Sequence, residues 1–281
     1  MAPGRQTTRS PVAHPHHPYR PPLYLWLLAA LAVLVGGFSF LQEVTRQNDG
    51  SDIAVDETLP AAVQLDMRAA AGAAYALLQT ETFESALRAG AGDGPVYIAR
   101  DQPRGDVDAI LARLRGQGRY LPVRLVLMSP AEVRFARHYA AGGGVGYFTQ
   151  DGEIHIPPAV IGQWRSRDLV ERSCAINTLA HEIAHTVSVS PFVFTPAFTD
   201  TNAEQPTIPG RRPGESPIAS YLIGSAAQCA WLVREGRIEA RDLGACVQVF
   251  GTAGFNDRCA SFARGEPVRE RPGLPPPMRG L

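Results

Sequence analysis

His181 and His185 stand four residues apart in the run His181-Glu182-Ile183-Ala184-His185. On a helix, that spacing sends both imidazoles out of one face. Two ring nitrogens so placed can bind one zinc ion at about 2.0–2.1 Å. Glu182 projects about 100° around the helix from His181; there it is a poor ligand, but it can reach a water held on the metal. Zinc draws the pKa of such a water towards about 7 and polarises a carbonyl. A carboxylate beside it can accept the proton and hand it to a leaving amine. Two helix histidines satisfied by ordinary hydrogen bonds, with Glu182 on a wet face, would give the same letters. The pattern is specific when it lies inside a helix, and Asp168 is a good N-cap for a helix predicted to run to about Val189.

A catalytic zinc takes three protein ligands and keeps a fourth position open. No histidine follows His185, and the predicted helix 217–234 contains no acid. Asp200, Glu204 and Glu215 remain as downstream candidates. Asp200 is preferred: it lies 15 residues past His185 in Phe198-Thr199-Asp200-Thr201, close enough for a short loop to fold back, with an aromatic neighbour that can pack. An Asx turn would employ the same carboxylate differently. His155 and His138 are the upstream alternatives. Tyr221, Tyr147 and His155 are candidates to steady an oxyanion at the attacked carbonyl, and each has ordinary packing as a competing role.

The elements that must position these residues follow from pattern. Leu59–Arg88 is predicted as an Ala-rich helix with a possible break at Gly72, and Val96–Ala99 as a short strand. Asp106 caps a helix to about Arg115. Leu121–Met128 reads as a buried strand, and Pro130 opens a helix to about Ala140. Val145–Thr149 and Glu153–Ile156 flank Gln150-Asp151-Gly152, a hairpin signal, and Pro157-Pro158 stop the second strand. Residues 190–215 read as a loop, Ser216-Pro217 open a helix to about Glu235, and a last helix covers Asp242–Phe250. The fold class is α+β, with the active-site helix beside a small sheet.

The HExxH run within a capped helix resembles the zincin metallopeptidases. The close resemblance covers the motif and its helix; a looser one takes in the preceding hairpin. In zincins an edge strand ahead of the active-site helix aligns the substrate backbone, and Gly152-Glu153-Ile154-His155-Ile156-Pro157 looks like that strand. Strand addition to a sheet edge is a sound way to hold a peptide, although an ordinary surface hairpin has the same pattern. The chain lacks the longer HExxHxxGxxH motif of metzincins and the helical glutamate of gluzincins. An aspartate third ligand would resemble aspzincins. The resemblance implies zinc as cofactor, a peptide or protein as substrate, Glu182 as general base, and His181, His185 and Asp200 as metal ligands. Two other readings keep the same fold: an inactive binding or scaffold protein, and a zinc hydrolase of a non-peptide amide such as a cell-wall cross-link.

Formal net charge is zero, which gives no footprint for nucleic acid. All 27 basic residues are Arg, as a compositional bias would produce. Residues 1–22, rich in Pro, His and Arg, read as a disordered cytoplasmic arm. Residues 23–41 carry no charge, and as a helix they would span about 28 Å, the thickness of a bilayer core. Arg5, Arg9 and Arg20 precede this stretch and Glu43 follows it, an asymmetry that keeps the N-terminus inside and exports the rest. A cleaved signal peptide is the rival, but no A-x-A site follows. Residues 42–58 read as a linker, 59–264 as the catalytic domain and 265–281 as a disordered Pro/Arg-rich tail. Cys174, Cys229, Cys246 and Cys259 all lie in the exported part, where disulfides persist. Of three possible connectivities, Cys246–Cys259 with Cys174–Cys229 is preferred.

Overall fold

A computed structural model describes residues 53–92, 94–99, 102–117, 119–120, 123–139, 147–148, 152–190, 194–200, 218–250 and 259. All belong to one compact unit, Gln47–Leu281; the other unit, Met1–Arg46, lies outside the described residues. The predicted arm, the apolar stretch 23–41, the tail 265–281, Glu204 and Glu215 therefore lie outside them too. Among the described residues, no helix is long and apolar enough to cross a membrane.

The fold is α+β. Its sheet has the order β1-β3-β5-β4, built from β1 (Ala54–Val55), β3 (Arg124–Leu127), β5 (Glu153–Ile156) and β4 (Tyr147–Phe148). The first three run parallel, and β4 pairs antiparallel with β5, Tyr147 opposite His155. The predicted hairpin is present, but the strand expected at the sheet edge is not at the edge. β5 is hydrogen-bonded on both sides, and β4 takes the outer place. The reason is visible in β5 itself: Ile154 and Ile156 are fully buried, as suits an interior strand. β1 falls within the stretch read as linker, where Ile53 and Val55 supply core side chains.

Helices cover the sheet. α1 (Ala61–Leu77) and α2 (Glu81–Ala91) replace the single helix predicted from Leu59 to Arg88. The break falls not at Gly72 but at Thr80, whose hydroxyl accepts from the Phe83 N–H at 3.1 Å and so starts α2. Asp106 caps α3 (Val107–Ala112) through the Ala109 N–H at 2.9 Å. A π-helical turn, Arg113–Gln117, continues it. α4 is Pro130–Tyr139. The Pro157-Pro158 pair that stops β5 also begins α5 (Pro158–Arg165), with Pro at the first helical position. α6 (Leu169–His185), α7 (Ala219–Arg234) and α8 (Leu243–Phe250) complete the set.

α6 is the central helix, packed against α1, α5 and α7. Every residue from Ser173 to Ala184 is buried, so most of the motif lies on a fully packed stretch of helix. Two disulfides close the helical layer, and both differ from the preferred pairing: Cys174 joins Cys259, and Cys229 joins Cys246. α7 and α8 are sequential neighbours in contact, which brings Cys229 to Cys246 across a separation of 17 residues. Cys174 on α6 then pairs with Cys259.

Candidate metal centre

Local rules start α6: the Asp168 carboxylate accepts from the Val170 N–H at 2.8 Å. Tertiary packing fixes its roll. Along the α6–α7 seam, Asn177 Nδ2 donates to Gln228 Oε1 at 2.6 Å, and Gln228 Nε2 donates to Ser173 Oγ at 2.9 Å. This buried polar ladder admits one register between the two helices, because slipping it would leave amides unpaired in the core. One turn nearer the motif, Gly224 brings α7 against α6. A Cβ on Gly224 would stand 2.8 Å from the Asn177 carbonyl oxygen and 3.3 Å from His181 Cβ. The register of α7, and therefore of its first turn, is set by the helix that carries the histidines.

After His185 the chain does not continue as helix to Val189. It turns into β6 (Val187–Ser188), which pairs antiparallel with β2 (Arg119–Tyr120). The chain then doubles back: Val189 N–H donates to Thr195 O at 3.0 Å and Ala197 N–H to Val187 O at 2.8 Å. Residues 194–200 thus run back along β6 and deliver Asp200 to the face from which they left. Several groups hold this return. Arg113, buried, donates from Nη1 to Ala197 O at 2.7 Å and from Nη2 to Gln102 Oε1 at 2.9 Å. Thr199 N–H donates to Ile98 O at 3.1 Å, Tyr97 Oη lies 3.2 Å from Thr199 Oγ1, and Phe198 is fully buried.

At the end of this path three atoms converge. His181 Nε2 and His185 Nε2 each lie 3.2 Å from Asp200 Oδ2, and 3.2 Å from each other. A regular tetrahedron measuring about 2.0 Å from centre to corner, the zinc–ligand distance, has edges of about 3.3 Å. The donor set, two imidazole nitrogens and one carboxylate oxygen, is one that zinc accepts. His185 Nδ1 lies 3.1 Å from the Phe198 carbonyl, to which it donates; that contact selects the tautomer whose Nε2 lone pair faces the cluster. Glu182 completes a group with the two histidines that could hold a metal ion, their ligand atoms lying within 4.8 Å of one another.

Electrostatics sort the two carboxylates. Glu182 is only 3% exposed, and its Oε2 has no hydrogen-bond partner among the described residues. Burial pushes its carboxyl above the usual range, against the pull of His181 and His185. Asp200 feels burial too, but the two histidines overcome it and hold the acid far below its ordinary value. Burial opposes a charge on His185. Asp200 foremost, then Glu182 and the Phe198 carbonyl, outweigh it and raise the imidazole to about 9. A proton held there must leave before a metal binds through that nitrogen.

Of the oxyanion candidates, Tyr221 lies at the site, its ring 4.5 Å from that of His181 and tilted by 45°. Burial, with Asp200 and Glu182 nearby, raises its phenol well above the ordinary value, so it remains an O–H donor. His155 is engaged elsewhere, with Nδ1 at 3.0 Å from Glu132 and Nε2 at 3.2 Å from Glu153. Tyr147 is on β4 and His138 on α4. Sequence reasoning gave no part to Ser220, Gly224 or Arg113, whose letters carry no periodic signal; on that helix it singled out Tyr221 and Cys229 alone. No family model, curated protein or solved structure matches the chain.

Proposed function

We propose that this protein is a zinc-dependent metallopeptidase of zincin type, tied to a membrane by residues 23–41 with its catalytic domain exported. The observation that carries this reading is the triangle of Nε2, Nε2 and Oδ2 atoms with 3.2 Å edges, beside a buried Glu182 Oε2 that has no hydrogen-bond partner among the described residues. His181, His185 and Asp200 would hold the metal. Zinc bound there would polarise a substrate carbonyl and make a water acidic enough to attack it at neutral pH. Glu182 takes the attacking water's proton and delivers it to the leaving amine nitrogen; a carboxyl raised by burial suits both halves of that transfer. The Phe198 carbonyl keeps His185 in the binding tautomer. Tyr221, whose ring packs on that of His181, carries a hydroxyl that could donate to a developing oxyanion.

A peptide substrate is favoured by β4. Among the described residues it forms the outer strand of the sheet and lies against α6, so an extended chain could add to it beside the helix that carries the motif. Export is favoured by the positive residues ahead of residue 23 and by two disulfides in a domain of this size. The test is Glu182→Gln in the full-length chain, assayed on a mixed peptide library by mass spectrometry. Zinc content should match wild type while hydrolysis falls by roughly 10²- to 10⁴-fold. Unchanged hydrolysis would overturn the role of Glu182, and a wild type that cleaves no peptide would overturn the peptidase reading.

A further inference from the structure

The Asp200 carboxylate has two oxygens. Oδ2 faces both histidines, and Oδ1 accepts a hydrogen bond from the hydroxyl of Ser220. Ser220 is fully buried in the first turn of α7. Its position is fixed from two directions. On one side, α7 is locked to α6 by Gly224 and by the Asn177–Gln228–Ser173 ladder. On the other, the strand-like stretch at Tyr97–Ile98 grips both partners at once: Thr199 N–H donates to Ile98 O at 3.1 Å, and Ala219 N–H donates to Tyr97 O at 2.8 Å. The residue before Asp200 and the residue before Ser220 are thus registered on consecutive carbonyls of one segment. The hydroxyl and Oδ1 meet because the backbone places them together.

We propose that Ser220 is a positioning residue that holds Asp200 to binding through one oxygen; the inference rests on the metal-site reading above. A free carboxylate can offer a cation either one oxygen or both. With Oδ1 committed to the Ser220 hydroxyl, Oδ2 alone faces the histidine nitrogens. The open fourth position that a catalytic zinc needs is then not taken by the second oxygen of its own ligand. Partners of this kind orient the ligand as well, and removing one typically weakens metal binding by about 10- to 100-fold.

The experiment compares full-length wild type, Ser220→Ala, Ser220→Thr and Asp200→Ala. Zinc affinity is measured by competitive chelation, and the visible spectrum is recorded after cobalt(II) replaces zinc. Four-coordinate cobalt absorbs strongly and five-coordinate cobalt weakly, so a carboxylate that swings to two-oxygen binding shows as a loss of intensity. Ser220→Ala should bind zinc roughly 10- to 100-fold more weakly with a weaker cobalt band, in a protein that circular dichroism shows to be folded. Ser220→Thr, which restores the hydroxyl, should recover both. Wild-type affinity and spectrum in Ser220→Ala would overturn the positioning role while leaving the metal site standing, provided Asp200→Ala loses zinc. Equal losses in the folded Ala and Thr variants would overturn it as well. Failure of wild type to take up zinc, or full retention by Asp200→Ala, would remove the site and the Ser220 role together.

Discussion

The histidines and Asp200 reach the same few cubic ångströms by opposite routes. His181, Glu182 and His185 come from one element, and their relative placement follows from helix geometry alone once α6 forms. Asp200 comes from a return segment that pairs with β6 only as far as Ala197, three residues short of it. Its position is assembled from separate contacts with the Arg113 side chain, the Ile98 carbonyl, β6 and the first turn of α7. One side of the site is therefore rigid as a unit. The other is only as well placed as the sum of its anchors, so damage to either side should have a different signature.

The largest effect is expected on the helix side. Gly224→Val puts a Cβ 2.8 Å from a main-chain oxygen that cannot swing away, so the α6–α7 seam must open. About 3 kcal/mol of stability should be lost, measurable by denaturant unfolding of the full-length chain. Stability should suffer more than zinc affinity, which should fall only as far as the displaced Ser220 loosens Asp200, since His181 and His185 keep their spacing. A Gly224→Val protein as stable as wild type would contradict the seam as described.

The return segment should behave the other way. Arg113→Met leaves the Ala197 carbonyl without a charged donor, and about 2 kcal/mol is the expected cost. Zinc affinity should drop by more than that stability loss explains, because Ala197 leads directly to Asp200. If Arg113→Met binds zinc as tightly as wild type, the segment is held sufficiently by its other anchors and the contrast between the two sides weakens. Tyr97→Phe is the mildest probe. It removes the hydroxyl 3.2 Å from Thr199 Oγ1 and should cost about 1 kcal/mol, with zinc affinity reduced by a few-fold at most.

The same contrast explains what could be read from the sequence. The histidine pair, its helix and the Asp168 cap are legible because they depend on spacing and on one local hydrogen bond. Asp200 could be preferred among the downstream acids only for its short distance from His185 and its aromatic neighbour, and the hairpin-like return that delivers it leaves no periodic trace. Ser220 and Gly224 are small residues in an apolar helix, and their roles depend on which turn of α6 lies opposite. The cysteine pairing failed for the same reason: Cys174–Cys229 is plausible across the α6–α7 seam, but the polar ladder already occupies that seam through Gln228, and the α7–α8 turn offers Cys246 instead. The strand read as the sheet edge was misplaced because a hairpin signal says that two strands pair. It does not say which of them has a further neighbour, and β3 supplies that neighbour to β5.

His181, His185 and Asp200 should together hold one metal ion. Elemental analysis of the purified full-length chain after zinc loading and desalting tests it most directly, with Asp200→Ala, His185→Ala and Glu182→Gln prepared alongside. About one zinc per chain is expected in wild type and in Glu182→Gln, as for a three-ligand catalytic site, and little or none in the folded Asp200→Ala and His185→Ala proteins. A folded wild type without stoichiometric zinc, or an Asp200→Ala protein that retains it while Glu182→Gln loses it, would mean that these three residues do not form the metal site.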